Sequence, residues 1–189
     1  NNPYYQVLHY VNIHTTGNSI DFGSLLVARY GTTGSCSSNT RALVAGGWRS
    51  SAVDDTIEYF TMASNAQAVD FGNLAQAEYT LLSCSSSTRG LFTGSYAAPN
   101  NTAQIDYVEI GTTGNALDFG DMSGVTRYGG CGLSSPTRGI FAGGANPGGS
   151  RIDVIDFVTI ASIGDAKDFG NLSAAKNHLT SCSSSTRGV

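Results

Sequence analysis

The chain has 189 residues, a formal net charge of −4 and only 13% charged residues. This balance excludes the basic surface that nucleic-acid binding needs. No apolar run approaches the roughly 20 residues that span a bilayer, so membrane insertion is not expected either. Apolar residues make up 40% of the chain and recur throughout it, together with 24 glycines, which favours short strands and tight turns over disorder.

Four columns of residues recur along the chain with a period of about 49 residues. An Asp-Phe-Gly motif begins at Asp21, Asp70, Asp118 and Asp168. A Thr-Arg pair ends at Arg41, Arg89, Arg138 and Arg187. Single cysteines lie at Cys36, Cys84, Cys131 and Cys182, and aromatic residues at Tyr10, Tyr59, Tyr107 and Phe157. The columns predict one repeat domain over residues 1–189, with copies at about 1–40, 41–88, 89–137 and 138–186, and with 187–189 starting another strand.

Each copy contains four runs that are typical of β-strands. The first follows the arginine, as in residues 42–45, and ends at a glycine pair. The second, as in residues 105–110, is rich in β-branched and aromatic residues, and the third is centred on Asp-Phe-Gly. The fourth runs from about Arg29 to Cys36, or from Tyr79 to Cys84. Four strands in a repeat of this length predict an all-β fold, a β-propeller built from four-stranded antiparallel blades.

The order of these features resembles the Kelch repeat over essentially the whole chain. In that family an apolar strand ends in Gly-Gly, and an acid with an aromatic, a large aromatic and a basic residue follow. The matching positions in the last copy are Gly143-Gly144, Asp156-Phe157, Phe169 and Lys176. Phenylalanine replaces the usual tryptophan, Glu78 holds a basic position and Gly94-Ser95 replaces one glycine pair. The Asp-Phe-Gly and Ser-Ser-Thr-Arg-Gly segments of the repeats are also similar to those of Kelch-like arrays in structural and tail-fibre proteins of marine bacteriophages.

The Asp-Phe-Gly motif does not indicate a protein kinase, because a kinase has one such motif beside a catalytic His-Arg-Asp loop. A structural role is favoured, with the phenylalanine between blades, the glycine in a turn and the aspartate capping that turn or pairing with a basic residue. We therefore expect Tyr59→Ala or Phe169→Ala to cost about 3–5 kcal/mol. The arginine column is either an anion-binding ring or, as we favour, a contact repeated in each blade.

The four cysteines are predicted to be free, buried thiols, because no two are close enough in sequence for a local metal site and equivalent blade positions lie too far apart for disulfides. Only three histidines are present, and no nucleophile elbow, phosphate loop or zinc-protease motif occurs. The sequence therefore predicts no enzymatic activity, no metal and no cofactor.

The segments that differ most between copies are the loops after the glycine pairs. They are expected to emerge on one face of the propeller and to combine aromatic and short polar side chains suited to a sugar or a protein. Drift in unconstrained turns is the alternative. The candidate binding residues are Trp48, Arg49, Tyr96, Asn100, Asn146 and Arg151.

Two functions remain open from sequence. The first is a non-enzymatic structural or receptor-binding module of a phage, virus particle or cell surface that recognises a glycan or protein, or contacts neighbouring virion subunits in a fibre. The second is an intracellular Kelch-type adaptor for protein–protein interaction. If the ring closes within this chain, residues 187–189 must pair beside the strand from Gln6 to Ile13.

Overall fold

The computed structural model of the protein describes residues 5–31, 34–96, 102–124 and 126–189. In these ranges every regular element is a β-strand, and none is a helix of the length and hydrophobicity needed to cross a membrane. The N-terminal hairpin consists of β1 (Tyr5–Tyr10) and β2 (Ile20–Arg29). The first blade consists of β3 (Gly34–Ser37), β4 (Arg41–Ala45), β5 (Thr56–Thr61) and β6 (Val69–Asn73). The second blade consists of β7 (Leu82–Ser85), β8 (Arg89–Thr93), β9 (Gln104–Glu109) and β10 (Leu117–Asp121). The third blade consists of β11 (Cys131–Ser134), β12 (Arg138–Ala142), β13 (Val154–Thr159) and β14 (Lys167–Asn171).

Each blade is a four-stranded antiparallel sheet in which strands adjacent in sequence are neighbours in space. This confirms the predicted all-β fold of four-stranded blades. The cysteine strand, which was predicted as the fourth strand of its copy, is instead the first strand of the sheet that follows it: Cys36 pairs with Leu43 and Cys84 with Leu91. The turn between these strands is tight, and Ser38 Oγ accepts the backbone N–H of Arg41 at 3.1 Å. That turn forces the two strands into one hairpin. The strand is also shorter than predicted, and begins at Gly34 or Leu82.

The strands that carry the cysteines pack against one another between blades, β3 against β7 and β7 against β11, and serine side chains join them. Ser83 Oγ donates to the backbone oxygen of Ser35 at 2.7 Å and accepts the backbone N–H of Ser35 at 3.0 Å. Ser134 Oγ donates to the backbone oxygen of Ser85 at 2.7 Å in the same way. We call this set of bonds the serine ladder. It ties each blade to the one before it at their inner edges.

The Asp-Phe-Gly motif forms a β-bulge in the outermost strand. Asp118 pairs with Asp106 and Gly120 pairs with Ile105, so Phe119 is the extra residue. The aspartates at 21, 118 and 168 cap the bulge, since each accepts the backbone N–H of the motif glycine at 2.9–3.1 Å. The glycine has φ near 140°, and a turn of the next blade packs directly against it. A Cβ on Gly72 would lie 2.3 Å from the Gly114 oxygen. Only glycine fits a site with both constraints.

The arginine column links neighbouring blades. The Cζ atom of Arg41 lies 4.6 Å from the ring centroid of Tyr59, and Nη1 donates to the backbone oxygens of Ile110 and Gly111 in the next blade, both at 3.0 Å. The other stacked pairs are Arg89 with Tyr107 and Arg138 with Phe157. Arg187 is exposed, and its backbone N–H bonds to Ser184 Oγ at 3.1 Å. The guanidinium groups of Arg41 and Arg89 therefore lie over an aromatic ring of their own blade and donate to the backbone of the next blade.

Burial of the motif phenylalanine depends on the neighbouring blade. Phe22, Phe71 and Phe119 are buried in the interior, but Phe169 is 51% exposed. The expectation that Phe169→Ala would open a large cavity is therefore wrong, because half of the Phe169 side chain already faces solvent, and the C-terminal residues 183–188 on that side of the third blade leave an open cavity beside it. Tyr59, by contrast, is partly buried and packs against the first core cluster.

The first two cysteines follow the same rule, whereas Cys131 lies two residues earlier in its strand than Cys36 and Cys84 do in theirs. All four are free, and Cys36 and Cys84 are buried as predicted. Each of these sulfurs packs where the next blade has a glycine, since a Cβ on Gly90 would lie 2.5 Å from Cys36 Sγ. The prediction of burial is wrong for Cys131, which is partly buried, and for Cys182, which is exposed. Cys182 lacks a described following blade to cover it.

The two terminal hairpins pair within themselves. Val189 and Cys182 exchange two backbone hydrogen bonds of 3.0 and 3.1 Å, and β1 pairs with β2. Among the pairings in the described ranges, there is none between residues 187–189 and the strand from Gln6 to Ile13, which is the pairing that ring closure requires.

Candidate functional site: an aromatic row across the blades

Five aromatic side chains form a continuous row at one end of the blades. Successive ring centroids are 6.5 Å apart for Tyr30 and Trp48, 5.5 Å for Trp48 and Tyr79, 5.7 Å for Tyr79 and Tyr96, and 4.7 Å for Tyr96 and Tyr128. These are normal distances for tilted and edge-to-face pairs, so each ring supports the next one. We call this set the aromatic row. It begins at the N-terminal hairpin and reaches the start of the third blade.

Three members of the aromatic row belong to a repeat column that the sequence analysis missed. Tyr30, Tyr79 and Tyr128 occupy equivalent positions, each just before a residue with positive φ. The signal was present in the sequence as a tyrosine column with the same period as the others.

A chain of backbone hydrogen bonds holds this column in place. The N–H of Thr80 donates to the Gly31 oxygen at 2.9 Å, and the N–H of Gly129 donates to the Thr80 oxygen at 3.2 Å. His178 continues the chain to the Gly129 oxygen at 2.6 Å. Thr80 has φ 61° and His178 φ 53°, although this region normally favours glycine. The tyrosines therefore stand on a turn that recurs along the array, and Thr80 and His178 adopt in it a conformation that favours glycine.

The variable loops supply the remaining two rings. Trp48 exchanges backbone hydrogen bonds with Tyr30, at 2.8 and 3.0 Å, and the N–H of Tyr96 donates to the Tyr79 oxygen at 3.2 Å. The corresponding position of the third blade is Ala145, which pairs with Tyr128. Each loop is thus attached to the tyrosine of the preceding turn, so a ring at this loop position inserts between two tyrosines.

The other candidate residues that the structure describes, Arg49, Asn146 and Arg151, do not join the row. Arg49 forms an ion pair with Asp54, Nε to Oδ2 2.7 Å, and braces its own loop. Asn146 Oδ1 accepts the N–H of Ser150 at 3.0 Å, which also closes a loop. Arg151 is exposed, and Asn100 lies outside the described residues. The structure therefore brings together Trp48 and Tyr96, adds three tyrosines, and gives Arg49 and Asn146 local structural bonds.

The aromatic row contains no acidic or basic side chain. Burial, and then the nearby phenols of Tyr96, Tyr30 and Tyr128, raise the pKa of Tyr79, which shows that the four hydroxyl-bearing rings are close together. Tyr96 is 38% exposed and the other four rings are half-buried. The row is therefore an amphipathic surface of ring edges and neutral hydroxyls, open to solvent on one side.

Charged groups lie beneath this surface at the junctions between blades. Arg29 pairs with Asp54 at 2.9 Å and with Glu58, and all three are buried. Arg127 pairs with Asp156 at 2.5 Å, and both side chains are fully buried. Because these ions neutralise one another, they fix the geometry of the junctions without charging the row.

No protein-family model matches the chain, and no curated protein matches it. In the described parts of the chain, no three His, Cys, Asp or Glu side chains converge as they would around a metal ion.

Proposed function

We propose that this chain is a non-enzymatic binding module of a virion or cell surface, and that its aromatic row recognises a glycan. The observation that carries the proposal is the row itself, five rings in sequence across the N-terminal hairpin and two blade boundaries. Tyrosine and tryptophan give large contact areas at little entropic cost, and their polar atoms add hydrogen bonds at the edge of the ring.

The neutrality of the row favours a sugar over a charged ligand. A glycan presents apolar ring faces and hydroxyls, and the aromatic row offers ring surfaces and phenols without a net charge. The length of the row, with four steps of 4.7–6.5 Å between centroids, suits an extended chain more than a single small molecule.

The test is binding to a glycan array, followed by titration calorimetry with any glycan that binds. Tyr96→Ala removes the most exposed ring of the row and should weaken binding at least about tenfold, as an aromatic anchor does. Arg151→Ala, on the same side of the blades and outside the row, is the matched control and should bind as the unchanged protein does. Melting temperatures of both variants exclude unfolding as the cause.

Retained binding by Tyr96→Ala would show that the glycan binds elsewhere. Binding of an extended peptide by the row, with no glycan bound, would reject the glycan and favour the adaptor function. Trp48 is less suitable for this test, since it is half-buried and contacts both Tyr30 and Tyr79, so its loss also affects stability.

A further inference from the structure

The three junctions between the N-terminal hairpin and the successive blades use one column of residues in two different ways. The first junction joins the N-terminal hairpin to the first blade, the middle junction joins the first and second blades, and the last junction joins the second and third. Arg29 and Arg127 hold the equivalent position at the first and last junctions, and Glu78 holds it at the middle one. Their acidic partners are also equivalent, because Glu58, Asp106 and Asp156 occupy the same register in β5, β9 and β13. The middle junction therefore has two carboxyl groups where its neighbours have an ion pair.

The guanidinium groups of the outer junctions have a second function. Arg29 donates to the backbone oxygen of Thr56 at 3.4 Å, and Arg127 donates to that of Val154 at 3.2 Å. The equivalent oxygen of the middle junction belongs to Gln104, and there the hydroxyl of Thr93 donates to it at 2.9 Å. The other blades have alanine, Ala45 or Ala142, in place of that threonine. The middle junction has thus replaced the lost donor by a neutral one.

Neutral donors also satisfy the acid. Asp106 accepts the side-chain N–H of Gln104 at 2.9 Å and the backbone N–H of Ala75 at 2.8 Å. Glu78 is only 5% exposed, and in the described residues it has no ion pair. Ser95 replaces a glycine of the other blades, and a Cβ on the equivalent Gly144 would lie 3.5 Å from the Cβ of Arg127. Ser95 is buried, and its hydroxyl has no hydrogen-bond partner among the described residues.

We propose that the middle junction is a proton-dependent contact: Glu78 is held there as a neutral carboxylic acid beside the Asp106 carboxylate, and loss of its proton loosens the second blade from the first. Two donors bond to Asp106, so the negative charge belongs on Asp106 and the proton on Glu78. Ionised Glu78 would place a second buried charge against the first, without the guanidinium that neutralises each outer junction.

Electrostatics of the surrounding elements agree with this assignment. Burial, and then the Asp106 charge on β9, raise the pKa of Glu78 to about 8. Burial raises the pKa of Asp106, its bonds from Ala75 and Gln104 lower it, and Asp118 on β10 raises it. The cation of the first junction, Arg29, forms its ion pairs with Asp54 and Glu58.

The sign of the pH dependence follows from the raised pKa. Between pH 4.5 and about 8 the folded protein holds a proton on Glu78 that the unfolded chain has lost. The unfolded state then binds fewer protons, so stability falls as pH rises through this window and levels off above it.

The experiment compares thermal unfolding from pH 5 to 9 for the unchanged protein, Glu78→Gln and Glu109→Gln. Glutamine keeps the shape of the neutral acid, so the fall in melting temperature should be smaller in Glu78→Gln by the equivalent of about one proton. Glu109 is a half-exposed glutamate on β9, and its replacement should leave the fall unchanged. An equal fall in all three proteins would overturn the proposal.

A local measurement separates loosening of the junction from general loss of stability. The N–H of Ala75 bonds to Asp106 at the middle junction, and the equivalent N–H of Leu26 bonds to Glu58 at the first junction, at 2.7 Å. Above pH 8 the hydrogen-exchange rate of Ala75 should increase relative to that of Leu26 in the unchanged protein. A constant ratio, or the same increase in Glu78→Gln, would contradict the proposal even if one variant proved too unstable to melt reversibly.

Discussion

The face of the second blade and the face of the third carry the same motif in different surroundings. Phe119 and Phe169 both occupy an Asp-Phe-Gly bulge, followed by glycines with φ 138° and 139°. Phe119 is fully buried, because the third blade covers it, and Phe169 is 51% exposed. The motif therefore determines the backbone, and the neighbouring blade determines the burial. Stability in such an array is a sum over contacts between neighbours.

The largest expected difference between the two faces is at the phenylalanine. Phe119→Ala should lower the free energy of unfolding by about 3–5 kcal/mol, because it leaves a cavity in the interior of the second blade's core. Phe169→Ala is the matched control and should lower it by less than about 1 kcal/mol. Denaturant titration measures both, and similar losses would show that Phe169 is covered in solution.

The motif glycine should show a smaller difference. Alanine at Gly72 would place its Cβ 2.3 Å from the Gly114 oxygen of the next blade, whereas Gly170 has no atom within 4 Å. Both positions have φ near 140°, so both variants carry the same backbone strain. Gly72→Ala should therefore cost about 1–3 kcal/mol more than Gly170→Ala, through the clash alone. Equal melting temperatures for the two variants would mean that the turn around Gly114 can move away at no cost.

Removal of a serine from the serine ladder should cause the next largest loss of stability. Ser83 both donates to and accepts from the backbone of Ser35, and Ser83→Ala should cost about 1–2 kcal/mol, because it leaves those groups without their partner. Ser183 is exposed and only donates, to the Ser134 oxygen at 2.9 Å. Ser183→Ala should stay within about 0.5 kcal/mol of the unchanged protein. A cost at Ser183 as large as that at Ser83 would argue against a role for blade coverage.

Thiol labelling of the cysteines tests, without any mutation, how well each blade is covered by the next one. Burial raises the pKa of Cys84 to about 12 and also raises that of Cys36, so neither thiol should react in the folded protein. Cys182 is exposed and should react at once with a thiol reagent, with Cys131 at an intermediate rate. Mass spectrometry of the labelled protein counts the modified residues with time. Labelling of Cys84 as fast as Cys182 would mean that the blades separate readily.

The sequence predicted the repeat, its four strands and the all-β blades, because these follow from local patterns that recur in every copy. It did not reveal which blade each strand joins, since the pairing of Cys36 with Leu43 depends on a turn and not on the strand itself. Nor did it reveal the exposure of Phe169, which depends on a neighbour. In the candidate site, Trp48 and Tyr96 were found by their divergence, whereas the tyrosine column was hidden by its regularity.

The buried ion pairs were the hardest feature to anticipate. Arg29 and Asp54 are separated in sequence by a whole hairpin, and only the stacking of the blades brings them to 2.9 Å. In the sequence alone, Glu78 is an acidic residue at a position where the repeat has a basic one. In the folded chain it is one part of a set of replacements that includes Thr93 and Gln104.

The serine ladder has a consequence for how such arrays change in length. A strand such as β7 offers serine hydroxyls to the strand before it and backbone oxygens to the strand after it, so its two sides are complementary to each other. A newly duplicated copy thus arrives with both halves of the contact that it needs. Recombination between repeats can add or remove a blade without inventing an interface, and the number of blades becomes a property that selection can adjust more easily than their structure.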